Sequence, residues 1–563
     1  MGKRSIDSGR KLNIKKVLIA ILLFVITIVL IVAAVKGIVG FINSDKPEPV
    51  EKVNEESSQA ENTKTMDEVA QSFGGNVTEK VKEDTYYVSK DNKDYTIYLD
   101  GEVAEDKIIP WNGETAKPAI DEAGNINIYS AAELAWVAEQ VCTGEKNFSG
   151  VTITLRKNID LGARKKEDGT WEGTTWNAII GFLDELPNKE IQNKVEENTQ
   201  TDLDADVKQE NLKRFDGIFN GNGCSIRGLK IDTDKRYQGL FGYSSGSITN
   251  LTIKKSYIKG GTGTGGIVGL NEGNIISCSI EDTEIISSEK VGGIVGIAMT
   301  ESVLEDCHVS DTTTIQANNY VGGISGYTNN NVEIKNCQNS AKIKGNEYAG
   351  GITGIAFYGT TITECYNNSE KIEGTNYIGG IVGHSAAQLE KCANQTSKEN
   401  IGTVEGKGYV GGLVGLNYIM GNISYSYNAG KVIVSEDNAG GIVGLNNSTV
   451  SSCYNIGEVD CQNATGLKIG GICGQNLSDS FIYTSYNAGK INNTNYAGGL
   501  VGADFGEITG SCCLSTCLEK QTADTEYHKT EEEMKSIVLQ ELGDSFKKDE
   551  NGINKGFPVL EWQ

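Results

Sequence analysis

Gly411-Gly412-Leu413-Val414-Gly415 is one of nine copies of the pattern Gly-Gly-x-x-Gly, which begin at Gly265, Gly292, Gly322, Gly350, Gly379, Gly411, Gly440, Gly470 and Gly498. The steps between neighbours are 27, 30, 28, 29, 32, 29, 30 and 28 residues. A fixed period of this size marks a solenoid or an array of supersecondary units. Ile or Leu follows every glycine pair, as at Ile324, Ile352, Ile381 and Leu413. A second apolar position recurs at Ile275, Leu304, Ile334, Ile362, Leu389, Ile423, Val450 and Ile482. Three residues after each stands a small side chain: Cys278, Cys307, Cys337, Cys365, Cys392, Ser426, Cys453 and Ser485. Two residues further on, six successive units carry Asn339, Asn367, Asn394, Asn428, Asn455 and Asn487.

The apolar runs are short and β-branched, with Gly and Asn between them, which reads as strand–turn–strand–turn–strand. Three strands per period fit one coil of a parallel β-solenoid, since a single unit cannot bury its apolar side chains but stacked units can. Nine coils at about 4.8 Å each predict a rod of roughly 45 Å; one further unit upstream brings the solenoid to about ten. The glycine pairs are expected at positive φ. The asparagines are expected as left-handed turn residues whose side chains bond one another along the rod. A propeller of four-stranded blades needs a period near 40 and is excluded on spacing.

This block resembles the GLUG repeat family, named for its Gly-Leu-x-Gly core. Gly239-Leu240-Phe241-Gly242 carries that core, and Tyr409-Val410-Gly411-Gly412-Leu413-Val414-Gly415-Leu416-Asn417 with Ser426-Tyr427-Asn428-Ala429-Gly430 is a close match. The resemblance extends from about Ile126 to the C-terminus. It implies an all-β protein of the bacterial surface, linked to adhesion; the same repeats occur in the non-catalytic region of some IgA-specific metallopeptidases.

Caps are expected at both ends, because a solenoid must cover its terminal coils. Ser130-Ala131-Ala132-Glu133 is a capping-box pattern opening a helix over Ala131–Val141. Residues 126–235 read as the leading cap, with strands at Val151–Leu155 and Ile159-Asp160-Leu161 and the turn Phe215-Asp216-Gly217-Ile218-Phe219. An insertion at 183–213 departs from the family and reads as a surface loop: nine acids and three lysines fall between Asp184 and Glu210. The repeats occupy 236–515. Residues 516–563 form the closing cap, with a second capping box at Thr530-Glu531-Glu532-Glu533 and a closing strand Gly556–Trp562 whose Trp is expected on the last coil.

Upstream, Val17–Val35 is nineteen residues whose only polar member is Thr27, enough to span a bilayer as a helix. Lys3, Arg4, Arg10, Lys11, Lys15 and Lys16 precede it, which orients residues 1–16 to the cytoplasm and the rest outside. The expectation is a membrane anchor at 17–42, with a cleaved signal ending near Val32-Ala33-Ala34 as the alternative. Residues 43–84 hold eleven acids and five lysines and read as a disordered spacer; 85–125 read as a small β entry segment. No wall-sorting signal or second apolar span follows, so attachment is expected at the N-terminal end.

The formal net charge of −24 disfavours nucleic acid as a partner. Thirteen cysteines in an exported chain raise the question of disulfides. The Cys-to-Ser replacements instead favour a column of buried small side chains, here including Cys512. Cys512, Cys513 and Cys517 lack a second pair at zinc spacing, so no metal is expected. His308, His384 and His528 form no His-Glu-x-x-His, and no nucleophile elbow is present. No catalytic, cofactor-binding or metal residue is assigned and no enzyme activity is expected. A solenoid enzyme acting on an acidic polysaccharide would need cations at its site. No Arg follows Arg236, and 14 Lys against 24 Asp or Glu between Gln238 and Ser515 leave −10. Acids such as Glu301, Glu305 and Asp306 read as solvated edges. The expected function is an adhesin or binding and display protein whose partners are the membrane and a surface glycan or extracellular protein. A carbohydrate-active solenoid or a structural envelope component stand as alternatives.

Overall fold

The computed structural model describes residues 110–183, 212–395, 402–461, 468–492, 497–518, 525–536 and 538–563, with three strands between Asn76 and Tyr98. The expected anchor, the cytoplasmic tail and nearly all of the insertion lie outside these residues. Among the described residues no helix is long and apolar enough to cross a membrane.

The chain forms a parallel β-solenoid. One coil shows the unit: strands Asn319–Gly322, Ser325–Thr328, Glu333–Lys335, Gln338–Asn339 and Lys342–Lys344 follow one another, after which Glu347–Gly350 begins the next turn. A coil therefore has five short strands, not three. The apolar positions mark only the inward points, and the splitting corners carry ordinary residues such as Asn336 (φ 49°). Each strand pairs in parallel with its equivalent one coil away, as Val321↔Ala349↔Ile378↔Val410.

One row of parallel strands runs without a break from Thr152–Leu155 to Glu507–Thr509, twelve coils in all, or roughly 50 Å at ~4.8 Å per step. The two extra coils lie in the segment assigned to the leading cap. They lack the glycine pattern, and Thr152 pairs with Ile218 across the insertion, so their period is hidden in the sequence.

The glycine pairs do not take positive φ. A Cβ on Gly323 would lie 2.2 Å from the Gly351 carbonyl oxygen, and on Gly351 2.1 Å from that of Gly380. These positions are small because the next coil passes directly over them. The asparagine ladder fills the adjoining space: Asn339 donates to Asn367, and so on through Asn394, Asn428 and Asn455 to Asn487, at 2.7–2.9 Å. These residues bond along the rod as expected but are not left-handed.

The small-residue column is also observed. Cys278, Cys307, Cys337, Cys365, Cys392 and Cys453 are buried free thiols in line with Ser426 and Ser485. Cys512 departs from it: Ser511 takes the column position, accepting from the Ser485 N–H, and Cys512 faces outward to Met534, 3.6 Å between sulfurs.

At the leading end, helix α1 (Ala131–Thr143) has the expected capping box with Ser130 and Glu133. It buries Leu134, Val137 and Val141 beside an aromatic core of Phe148, Phe215, Phe219 and Phe241. The closing segment is placed differently from expectation. After α2 (Glu531–Ser536), opened by Thr530 and Glu533, and α3 (Val538–Leu542), the strand Val559–Leu560 pairs with Phe546–Lys547. This segment lies along the side of the rod. Trp562 reaches back to donate to the Tyr425 carbonyl at 2.8 Å, with its ring near Tyr366 and Tyr427. Its apolar side chains pack on a stripe of tyrosines, Tyr427, Tyr454 and Tyr486, on that side. Near the N-terminus, Asn76–Lys82, Thr85–Lys90 and Lys93–Tyr98 form an antiparallel sheet. The spacer read to residue 84 therefore ends in a strand, Asn76–Lys82.

Candidate binding surface

The first strand of four successive coils places a tyrosine at its second residue: Tyr320, Tyr348, Tyr377 and Tyr409. The next residue, Val321, Ala349, Ile378 or Val410, is fully buried in the core, while the tyrosines are half-buried at the surface. The four rings form an open ladder. Their centroids are 5.0, 5.0 and 5.1 Å apart with planes within 4–6° of parallel. All four residues are left-handed, with φ of 58, 58, 59 and 52°. Gly or Asn adopts that region at lower cost than a bulky aromatic residue, so the rings are held there against local preference.

Polar side chains run beside the ladder. Glu289, Asn319, Glu347 and Asn376 are stacked in register, and Asn319 donates to Glu289 at 3.3 Å. Further rings flank it. Tyr327 lies edge-on to Tyr320, and His384 edge-on to Tyr348 and Tyr377. Tyr418, 45% exposed, leans on His384 at 33°. Lys290 ends the row with its ammonium 4.4 Å from the Tyr327 ring centre. Burial pushes the Tyr348 phenol up to about 12, and burial followed by Glu289 and Glu347 raises that of Tyr320. Both hydroxyls thus keep their protons well above neutral pH. Burial lowers His384 to about 4, so its imidazole is neutral.

A second ladder, Tyr427, Tyr454 and Tyr486, has the same stacking, with centroids 5.0 and 5.2 Å apart. The closing segment covers it with Met534, Leu542, Phe546, Leu560 and Trp562. Tyr454 donates to Gln563 at 3.0 Å, and Tyr486 to the Pro558 carbonyl.

Of the residues singled out from sequence, Cys513, Cys517 and His528 come together around Gly499, while the others lie apart. Glu301 and His308 are exposed; Glu305 pairs with Lys335 at 3.7 Å and Asp306 accepts from Asn336. His384 packs among tyrosines. Cys513, Cys517 and His528 crowd Gly499 at the closing end, 2.6–3.1 Å from where its Cβ would stand. Among the described residues no group of three or more His, Cys, Asp or Glu is arranged to hold a metal ion. Sequence reading missed Asp160, fully buried and paired with Arg227 at 3.0 Å and with Arg164. It also missed Arg214, bound to Asp216 at 2.6 Å and Glu272 at 3.2 Å. The second pairing occupies the carboxylates: Asp216 also accepts from Asn147 and Ser245. The open ladder left a signal, since its tyrosines recur two residues before successive glycine pairs.

Residues 406–433 match the GLUG motif. The matched stretch spans 28 of the chain's 563 residues. It contains Tyr409 of the open ladder, the glycine pair Gly411–Gly412 and Asn428 of the asparagine ladder, and its strands stack in register on equivalent strands of neighbouring coils. No curated protein matches the chain. Among solved structures, a candidate immunoglobulin A1 protease from Bacteroides ovatus is similar over 80% of this chain and 96% of that one, at 14% identity and a TM-score of 0.26.

Proposed function

We propose that this GLUG-repeat solenoid is a binding and display protein of the cell exterior, held at the membrane through residues 17–42 and acting without turnover. The observation that carries this reading is the open tyrosine ladder. It is a repeated surface on four equivalent coils, and repetition suits an extended contact, whereas a catalytic site needs different groups converging on one point. The basic flank and apolar run of residues 3–35 support the placement.

The test uses the full chain. It should stay with membranes through an alkaline carbonate wash, and protease added to intact cells should remove the solenoid. It should be retained by at least one surface glycan or extracellular protein while releasing neither reducing sugar nor peptide from panels of polysaccharides and proteins. Turnover of any defined polysaccharide would overturn the binding reading in favour of a carbohydrate-active solenoid. A freely secreted product beginning near Val35 would overturn the anchor.

A further inference from the structure

We infer that the open ladder binds an uncharged, extended glycan that lies parallel to the rod with one sugar residue against each coil; this inference rests on the binding function proposed above. Three features select that class. The first is period. The rings repeat at 5.0–5.1 Å, close to the length of one pyranose unit in an extended β-linked chain. An extended peptide advances about 3.3 Å per residue, or about 6.6 Å per pair on one face, and loses register within the span of the four rings.

The second feature is polarity, seen by contrast with the covered ladder. There the same tyrosine stack meets Phe546, Leu560 and Trp562, and its phenols are satisfied by the closing segment. Beside the open ladder the corresponding partners are Glu289, Asn319, Glu347 and Asn376. A polyol can bond to carboxylate, amide and phenol in turn while lying across the outer edges of the stacked rings. An apolar segment would bury those polar groups without partners. Tyr418 extends the strip with a part-exposed ring beside His384.

The third is charge. Glu289, Glu347 and Asp437 line the strip, Asp437 acting on the Tyr409 phenol. Of the nearby cations, Lys290 is buried with its ammonium over the rings of Tyr320 and Tyr327, and Lys407 pairs with Glu436 at 3.1 Å. An acidic polymer would meet like charge, whereas a neutral one loses nothing. The rings are also retained in a backbone region where smaller residues sit more easily, which a purely packing role would not call for on a half-exposed surface.

The experiment is affinity electrophoresis of the full chain through gels containing a soluble linear β-1,4-glucan, a β-1,4-mannan or a β-1,4-xylan, with polygalacturonate as the acidic comparator. At least one neutral polymer should retard the wild type, with little change between low and high salt. Tyr348→Ser with Tyr377→Ser should weaken retardation by at least about tenfold, the equivalent of one good aromatic contact. Tyr483→Ser, off the ladder, should leave it unchanged. Asn376→Arg alters no core residue; it should weaken binding too, which keeps the test decisive if the double variant fails to fold. Retardation by polygalacturonate alone, or retention only on an extracellular protein, would overturn the glycan assignment and leave the binding function standing. Retardation that survives both ladder changes would also overturn it. Failure to bind any glycan or protein would overturn both.

Discussion

Asn428 is the residue at which the asparagine ladder can be tested most sharply. Its side chain is fully buried. It accepts from Asn394 at 2.7 Å and from the Gly430 N–H at 3.1 Å, and donates to Asn455 at 2.8 Å and to the Gly430 carbonyl at 2.9 Å. Its amide also occupies the space a Cβ on Gly412 would need, 2.4 Å from that point. Asn428→Ala removes four hydrogen bonds at about 1 kcal/mol each; it leaves the buried Asn394 amide without its acceptor, and the Asn455 carbonyl with the Gly457 N–H as donor. With the small cavity added, the expected loss is about 3–5 kcal/mol. Urea unfolding followed by far-ultraviolet circular dichroism gives the shift in midpoint. Asn346→Ala, on the exposed side of a coil, is the control and should stay within about 0.5 kcal/mol of wild type. Because Asn394 and Asn428 share a bond, Asn394→Ala combined with Asn428→Ala should cost less than the sum of the two single changes. A loss below about 1 kcal/mol for Asn428→Ala, or strict additivity in the pair, would refute the ladder as a cooperative support.

Other perturbations separate the remaining parts of the account. Gly351→Ala sets a Cβ 2.1 Å from the Gly380 carbonyl oxygen and 2.5 Å from Asn367; it should cost more than about 3 kcal/mol, seen as a large fall in Tm. Cys337→Ser should cost only about 1–2 kcal/mol, because Ser426 holds the same position by accepting from Cys392 and donating to Ser424; mass spectrometry without reduction should find the column thiols free. His384 is held at about 4 by burial, below its unfolded value near 6.5. The unfolded chain therefore binds the extra proton, and this contribution is fully present above pH 6.5 and lost as pH falls toward 4, by roughly 2–3 kcal/mol. His384→Phe should flatten that part of the Tm–pH profile, and an unchanged profile would refute the assignment.

The period was legible because stacking imposes the same demand on every coil. A glycine must stand wherever the next coil passes within contact of its Cβ, and a small side chain must stand wherever Cys337 and Ser426 stand. The reason for the glycines was misread: close approach of Gly351 to Gly323, not positive φ, requires them. Left-handed backbone falls instead on Tyr320, Tyr348, Tyr377 and Tyr409, which no local preference announces. Two coils escaped notice because Thr152–Leu155 and Ile218–Asn220 are separated by the insertion and lack the repeat's glycines. The two tyrosine ladders occupy different positions in the repeat, but nothing in either position says which ladder is covered. Only the path of residues 530–563 along the rod distinguishes them, and that path is set by long-range packing of Phe546 and Trp562 on Tyr454 and Tyr427. The Asp160–Arg227 pair joins residues far apart in the chain and has no periodic signal.

The central claim is that equivalent coils share one extended binding surface. Deleting a whole period, Tyr377–Gly408, in the full chain tests it most directly. Stacked coils are nearly interchangeable, so the shortened rod should fold with wild-type-like circular dichroism, retain three ladder tyrosines and bind its ligand more weakly but measurably. If the deletion left the fold intact yet abolished binding altogether, or abolished turnover of a defined polysaccharide, function would reside on particular coils and the account would be contradicted.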